Sequence, residues 1–282
     1  MPELPEVETV RRMLEQHVVG RTVRSISLSA KRLRTPLARS SVRALRGRRV
    51  ASVGRRGKYL FVHFDGDRTL LSHLGMSGRW LFSPAAPGER LPHVHATVAF
   101  EDGSLLRYQD PRRFGLLRVV RTGALDAEKE LALLGPDPVR ERLTGGDLAK
   151  RARGRRVSVK SFLLDQRQLA GIGNIYASEI LHRARVHPAR PAGRLAGDQW
   201  NGIAEATRRV LGEAIDRSGT TFSMYRTLWN EPGSYGEQLR VYDRGGEPCR
   251  TCGAAIRRVV QGQRSTFFCP SCQPRSPGRR KK

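Results

Sequence analysis

The sequence predicts an α+β multi-domain protein, and three observations carry that prediction. An apolar stripe at helical spacing opens the chain, short runs of alternating polarity fill residues 22 to 121, and helical spacing returns between residues 147 and 219. All four cysteines then fall in the last 34 residues. Strands grouped first and helices grouped second imply separate β and α layers.

Residues 5 to 18 read as the first helix. Val7, Val10, Leu14 and Val18 share a face, Pro5 suits the first helical position, and Gly20 closes the segment. Glu3, Glu6 and Glu8 crowd its start. Glu8 fits the usual carboxylate complement to the helix dipole, whereas Glu3 precedes the helix. The runs KYLFVHF (58–64), HATVAF (95–100) and SLLRYQD (104–110), separated by turn signals such as DGD and EDGS, predict a β domain, a sandwich or a barrel.

Proline and glycine density in GPDPVRERLTGGD marks a linker. The segments DLAKRAR, SVKSFLLDQ, NIYASEILHRAR and DQWNGIAEATRRVLGEAIDRSG predict four helices. The expected division is 1–134 for the β domain, 135–147 for the linker, 148–240 for the helical domain, 241–273 for the cysteine-bearing section and 274–282 for a disordered basic tail.

The 282 residues hold 52 Lys and Arg against 26 Asp and Glu, a formal net charge of +26. Arginine-rich codon usage raises such a figure, but it does not explain the distribution. Residues 31 to 58 contain eleven basic side chains and no acidic one, and the run KRARGRRVSVK (150–160) reads as a second basic surface. Such clusters attract polyphosphate, so nucleic acid is the expected partner, ahead of a membrane surface or ribosomal association. A hydrophobic content of 38% supports real cores. No run approaches the roughly 18 apolar residues of a membrane span. The charged opening has no apolar leader, which makes the cytoplasm the expected location.

Cys249 and Cys252, then Cys269 and Cys272, form two Cys-x-x-Cys pairs with sixteen residues between them. This spacing suits tetrahedral zinc, with disulfides as the competing reading. Four protein ligands leave no open position, so the metal is expected to fold the section and to do no chemistry. Arg257, Arg258 and Arg264 lie on the intervening hairpin, where a guanidinium could enter DNA.

Other polar groups stand out. Gly171 and Gly173 precede Asn174, an expected N-cap, in LAGIGNIYASEIL. That pattern is a phosphate cradle or an ordinary helix-turn-helix corner. Lys58 opens a strand, where a solvated charge is the plain alternative. Met76 in SHLGMSGRW would usually be core filler. Arg112, Arg113 and Phe114 in DPRRFG form a turn whose aromatic ring could wedge among bases. His93 and His95 alternate along a strand and so point to opposite faces, against joint metal ligation.

The opening MPELPEVETV has a chemical reading of its own. Removal of Met1 would expose Pro2 as a secondary amine, and an α-amino group titrates near 8. Such an amine attacks carbonyl-like carbons and forms an iminium. In a DNA-binding protein the electrophile within reach is deoxyribose C1′, with Glu3 beside it to move protons and Glu6 one helical turn away.

The stretches MPELPEVETVRR, LSHLGMSG, YQDPRRFG, GIGNIYASE, VYDRGGEPCRTCG and RSTFFCPSC, in this order, resemble the bacterial formamidopyrimidine-DNA glycosylase family. The resemblance implies an N-terminal β-sandwich with flanking helices, a helix–two-turn–helix domain and a zinc finger. It implies a monomeric, nucleoid-associated enzyme of base excision repair acting on double-stranded DNA with oxidised or abasic sites. Such an enzyme removes 8-oxoguanine and formamidopyrimidines, then cleaves the strand by β,δ-elimination. One structural zinc and no organic cofactor are implied.

By the same resemblance, Pro2 is the nucleophile, Glu3 the acid that assists sugar ring opening, and Glu6 a supporting carboxylate. Lys58 binds phosphate beside the lesion. Met76, Arg112 and Phe114 fill the gap left by the flipped nucleotide, with Arg112 facing the orphaned cytosine. Asn174 and Arg264 clamp phosphates, and Lys160 and His93 lie near the lesion strand. The chain departs from the family in the middle of 220–238, the loop that covers the flipped base. Val94 also stands where the family often has an acidic residue. Two other readings remain: an endonuclease VIII-type enzyme for oxidised pyrimidines, and a non-catalytic DNA-binding paralogue. The Leu4 and PEVE continuation favours the purine branch, and intact Pro2, Glu3 and Lys58 favour activity.

Overall fold

The structure is a computed structural model that describes residues 1–29, 33, 35, 37–85, 91–221 and 225–275. Most of the basic tail expected to be disordered, residues 276–282, lies outside the described residues, as do residues 222–224 of the expected covering loop. Helix α1 (Leu4–Val18) is followed by β1 (Val23–Leu28), the short α2 (Arg39–Arg43), β2 (Val50–Arg56), β3 (Tyr59–Phe64), β4 (Arg68–His73), β5 (Arg79–Ser83), β6 (Val94–Phe100), β7 (Leu105–Gln109), β8 (Leu116–Val120) and a one-turn α3 (Lys129–Ala132).

The strands form two antiparallel sheets of four, ordered β1-β6-β7-β5 and β2-β3-β4-β8. One apolar cluster joins them. It takes Val53, Leu60, Val62 and Leu70 from one sheet, and Trp80, Phe82, Val98 and Leu106 from the other. The stripe Val7, Val10, Leu14 and Val18 of α1 packs into the same cluster, which is why the 3.6-residue period is so clear there. This is the sandwich with a flanking helix that the alternation predicts.

Residues 1–133 and 214–236 make one compact unit, and 134–213 with 237–282 make a second. Two stretches therefore differ from the sequence-based division. The expected linker begins inside the second unit, where Asp137 is buried and its carboxylate accepts the N–H groups of Val139 and Arg140. Residues 214–236, expected in the helical domain, pack in the first unit, with Leu228 in its core and the Leu228 carbonyl accepting the Phe82 N–H at 3.1 Å.

In the second unit, α4 (Gly145–Ala152) starts with a reciprocal capping box between Thr144 and Asp147. Helices α5 (Val159–Leu164) and α6 (Asn174–Arg183) follow, then α7 (Gly197–Asp216), whose last residues belong to the first unit. All four helices match the expected segments. The antiparallel hairpin β9 (Arg257–Gln261) and β10 (Arg264–Phe268) carries a small core of Val241, Ile256 and Phe267 beside the cysteines.

Candidate functional site

In the first unit the site is built on the start of α1. Pro2 is buried, and Glu3 is the N-cap of the helix. The Glu3 carboxylate and the Glu6 backbone form one half of a capping box, and the Glu3 N–H donates to Glu6 Oε2 at 2.7 Å as the other half. Glu3 therefore precedes the helix, as expected, and in addition caps it. Glu6, only 1% exposed, also accepts the Thr220 N–H on Oε1 at 2.8 Å. The Tyr225 hydroxyl donates to the Glu6 carbonyl, and burial together with the Glu6 charge pushes that phenol's pKa up.

Glu8 does not serve the helix dipole alone. Its carboxylate accepts from buried Arg55 at 2.8 Å and pairs with Arg11 and Arg12 at 3.1 Å. Burial would raise its pKa, but the Arg55 hydrogen bond and charge outweigh it and hold the group below the usual range. Arg55 also donates to the Gly57 carbonyl at 2.8 Å, so one guanidinium joins α1 to the turn that presents Lys58. Lys58 is itself buried and not the solvated charge of the plain alternative. Burial and the Lys58 charge push His73 down to about 4.

The turns carrying Met76, Arg112 and Phe114 are brought side by side by strand register. His73 pairs with Leu116 in one sheet and Arg79 with Gln109 in the other, so residues 74–78 and 110–115 cross between sheets at the same edge. Buried Asp110 ties them together. Its carboxylate accepts from the Ser77 hydroxyl and from the Gly115 N–H at 2.8 Å, and Ser77 Oγ accepts the Arg112 N–H at 3.1 Å. Gly75 has φ +62°, and a β-carbon there would meet the Phe114 carbonyl carbon at 2.6 Å. Only glycine lets the turns approach so closely.

Above this buried tie, Met76 and Phe114 are 41% and 47% exposed. Met76 is thus not core filler. The Arg112 guanidinium lies 4.8 Å from the Phe114 ring centroid, a cation–π stack on the surface. His93 is exposed with φ +60° in the turn before β6, and a bulge interrupts the register between Val94 and Ala96. His95 is buried against the Asp110 carbonyl at 2.9 Å. His93 thus precedes the strand, so strand alternation does not relate the two histidines, yet one is exposed and the other buried, the opposite placement that was expected.

In the second unit, Asn174 and Lys160 converge on one point of β10. Asn174 Nδ2 donates to the Ser265 carbonyl at 2.9 Å, and Lys160 Nζ donates to the same oxygen at 2.9 Å and to Thr266 Oγ1 at 2.7 Å. Lys160 is 1% exposed, so the end of the basic run is not surface. Asn174 is the first helical residue and Gly173 is the N-cap, one position earlier than expected. Gln166 holds the preceding turn, accepting from the Gly171 N–H and donating to the Ile172 carbonyl. Arg264, next to Ser265, is exposed, as are Arg257 and Arg258.

The four cysteine sulfurs lie within 4.8 Å of one another, with separations of 3.4 to 4.0 Å for the bonded contacts. Zn–S bonds of about 2.3 Å in a tetrahedron require sulfurs about 3.8 Å apart, so Cys249, Cys252, Cys269 and Cys272 fit one structural zinc.

Sequence reasoning missed Arg55, Ser77, Asp110 and Thr220. Asp110 alone had a local signal, an aspartate before Pro-Arg-Arg at a turn; Ser77 and Thr220 bond to side chains distant in sequence, and Arg55 reaches Glu8 from 47 residues away.

Comparison with known proteins agrees with this arrangement. Residues 1–117 match the family model for the formamidopyrimidine-DNA glycosylase N-terminal domain, 134–226 its H2TH domain, and 246–275 a zinc finger found in FPG and IleRS. The chain is 44% identical to the formamidopyrimidine-DNA glycosylase of Methylococcus capsulatus over 97% of its own length and 100% of the relative's. The solved structure of a Lactococcus lactis FPG variant with Fapy-dG containing DNA superimposes with a TM-score of 0.89 at 34% identity, covering 97% of this chain and 100% of that one. The MutM (FPG) protein of Thermus thermophilus gives a TM-score of 0.86 at 39% identity, covering 98% and 100%. With all three parts matched and identity of this level sustained end to end, the chain belongs to the formamidopyrimidine-DNA glycosylase family.

Proposed function

We infer that this protein excises oxidised purines, 8-oxoguanine and formamidopyrimidines, from double-stranded DNA and then cleaves the strand at the resulting abasic site. The observation that carries this reading is the start of α1, where Glu3 and Glu6 bond reciprocally beside Pro2. Relatives solved with Fapy-dG DNA and with abasic-site DNA support it. We place this work in the cytoplasm with the nucleoid, because double-stranded DNA is the expected substrate.

Pro2, its nitrogen freed by loss of Met1, attacks C1′ of the damaged nucleotide. The glycosidic bond breaks, its electron pair leaves with the base, and the base takes up a proton. Glu3 protonates the sugar ring oxygen as the ring opens to an iminium. Loss of a C2′ proton then expels the 3′ phosphate, and a second elimination expels the 5′ phosphate. Glu6 holds the N-cap backbone in place throughout. Lys58 binds the phosphate next to the lesion.

Base removal requires the nucleotide to leave the stack, at a cost of a few kcal/mol. Met76, Arg112 and Phe114, exposed on their paired turns, fill the vacancy, and Arg112 faces the orphaned cytosine. His93 lies near the lesion strand. Asn174 and Arg264 clamp phosphates. We assign buried Lys160 a positioning role, since its ammonium is bonded to the strand that presents Arg264. Zinc, when bound, supplies only a fold for the hairpin.

Borohydride reduction during reaction with duplex DNA containing 8-oxoguanine opposite cytosine should trap a covalent complex. Absence of trapping by protein whose Pro2 is free would overturn the assignment. A Lactococcus lactis relative has also been solved with DNA containing an oxidised pyrimidine. Preferential trapping on thymine glycol would therefore move the lesion class to oxidised pyrimidines with the amine chemistry intact.

A further inference from the structure

The proposed reaction leaves one buried histidine without a task. In the second unit, Glu179 of α6 accepts the backbone N–H groups of Arg240, Val241 and Tyr242 at 2.9, 3.0 and 2.9 Å, fixing the chain as it enters the cysteine section. Gln273 accepts the Cys269 N–H at 3.0 Å and donates to the Val186 carbonyl at 2.9 Å. His182 lies three residues beyond Glu179, on the same face of α6. It is 4% exposed, and its Nε2 lies 3.6 Å from Cys249 Sγ.

A thiolate that ligates a metal can only accept hydrogen bonds, so the ring nitrogen facing it must carry the proton. That places the lone pair on Nδ1, which has no partner among the described residues. Charge points the same way. Four thiolates around a divalent zinc leave two negative charges in excess. Arg183, Arg185 and Arg240 line a cleft of about 200 Å³ together with His182, Thr251 and Cys272. Arg183 is paired with Glu213 at 2.8 Å, whereas Arg185 and Arg240 have no carboxylate partner among the described residues.

We propose that His182 donates a hydrogen bond from Nε2 to the Cys249 thiolate of the zinc site, with Arg185 and Arg240 balancing the site's charge, and so sets how firmly the zinc is held. An N–H···S bond draws electron density from sulfur and makes it less reactive toward protons and electrophiles. Partners of this outer kind change metal affinity by roughly 10- to 100-fold. The inference rests on the cysteines holding zinc and is independent of the lesion assignment.

The test uses full-length, zinc-loaded wild type, His182→Phe and His182→Asn. Phenylalanine keeps the ring volume and removes the donor, and asparagine keeps a donor. Zinc release to a chromophoric chelator after addition of N-ethylmaleimide is timed for each. His182→Phe should release zinc about 10-fold faster or more, with His182→Asn between it and wild type. In cobalt-substituted protein, the thiolate-to-metal charge-transfer band of His182→Phe should shift. Equal release rates with an unshifted band would overturn the proposal. So would equally fast release from both variants together with a lower melting temperature of both metal-free forms, which would mean packing alone. Wild type purified without zinc under zinc supplementation would overturn the zinc reading itself, and this inference with it.

Discussion

The Arg55 guanidinium donates to Glu8 Oε2 at 2.8 Å, with both side chains sealed from water. Losing Arg55 removes the buried partner of Glu8 and leaves it only Arg11 and Arg12, at about 1–3 kcal/mol, while replacing both members by apolar groups is milder. Arg55→Met should therefore lower stability by that order, and Glu8→Leu with Arg55→Met should recover much of it. A double-mutant cycle from urea unfolding measures this; equal cost for the single and double variants would contradict the pairing. Because Arg55 also grips Gly57, a stable variant lacking it should weaken the phosphate contact proposed for Lys58, seen as a raised KM.

Gly219 has φ +78°, and a β-carbon there would lie 2.7 Å from Glu6 Oε1. Gly219→Ala should cost about 1–3 kcal/mol in backbone strain and displace the Glu6 carboxylate from the Thr220 N–H. Trapping by borohydride should slow about tenfold, equivalent to about 1.4 kcal/mol of barrier. An unchanged trapping rate would show that Glu6 tolerates the displacement.

Phe114 is exposed, so Phe114→Ala should leave the melting temperature within a degree or two. Excision from an intact lesion duplex should fall about tenfold or more, since a wedge is missing when the nucleotide must leave the stack. Strand cleavage at a preformed abasic site, which needs little unstacking, should change much less. Equal losses on the two substrates would argue against the wedge.

Burial, with the Lys58 charge adding to it, pushes His73 down to about 4 from an ordinary value of 6.5. The unfolded chain takes up this proton as pH falls through about 6.5, whereas the folded protein resists until about 4. The neutral ring's contribution is therefore full above 6.5 and is lost progressively as pH falls toward 4. His73→Asn should melt with a smaller difference between pH 7 and pH 5 than wild type. A difference of the same size in both proteins would remove His73 as the cause.

Much of the fold was legible because burial is periodic. Val7, Val10, Leu14 and Val18 all enter the core, and the cysteine spacing matches a clustered sulfur set. Single polar residues were harder, because their partners are distant. Glu8 near a helix start suits the dipole on local grounds, and nothing local reveals that Arg55, 47 residues away, will reach it. Lys160 ends a basic run that looks solvated, yet its partners are 105 and 106 residues downstream. His93 was read as a strand residue because nothing local marks that β6 begins one residue later, at Val94. Met76 shows the reverse case, an apolar residue held outside by a glycine turn.

The hydrogen bond from Thr220 to Glu6 spans 214 residues. During synthesis the first residues leave the ribosome well before their partner exists, at about 5–20 residues per second. The Glu6 carboxylate thus acquires this partner only when about three quarters of the chain has been made. In the proposed reaction the amine end is therefore made first and one of the contacts that fixes its neighbouring carboxylate is made late, so the order of synthesis keeps the two apart until the molecule is nearly whole.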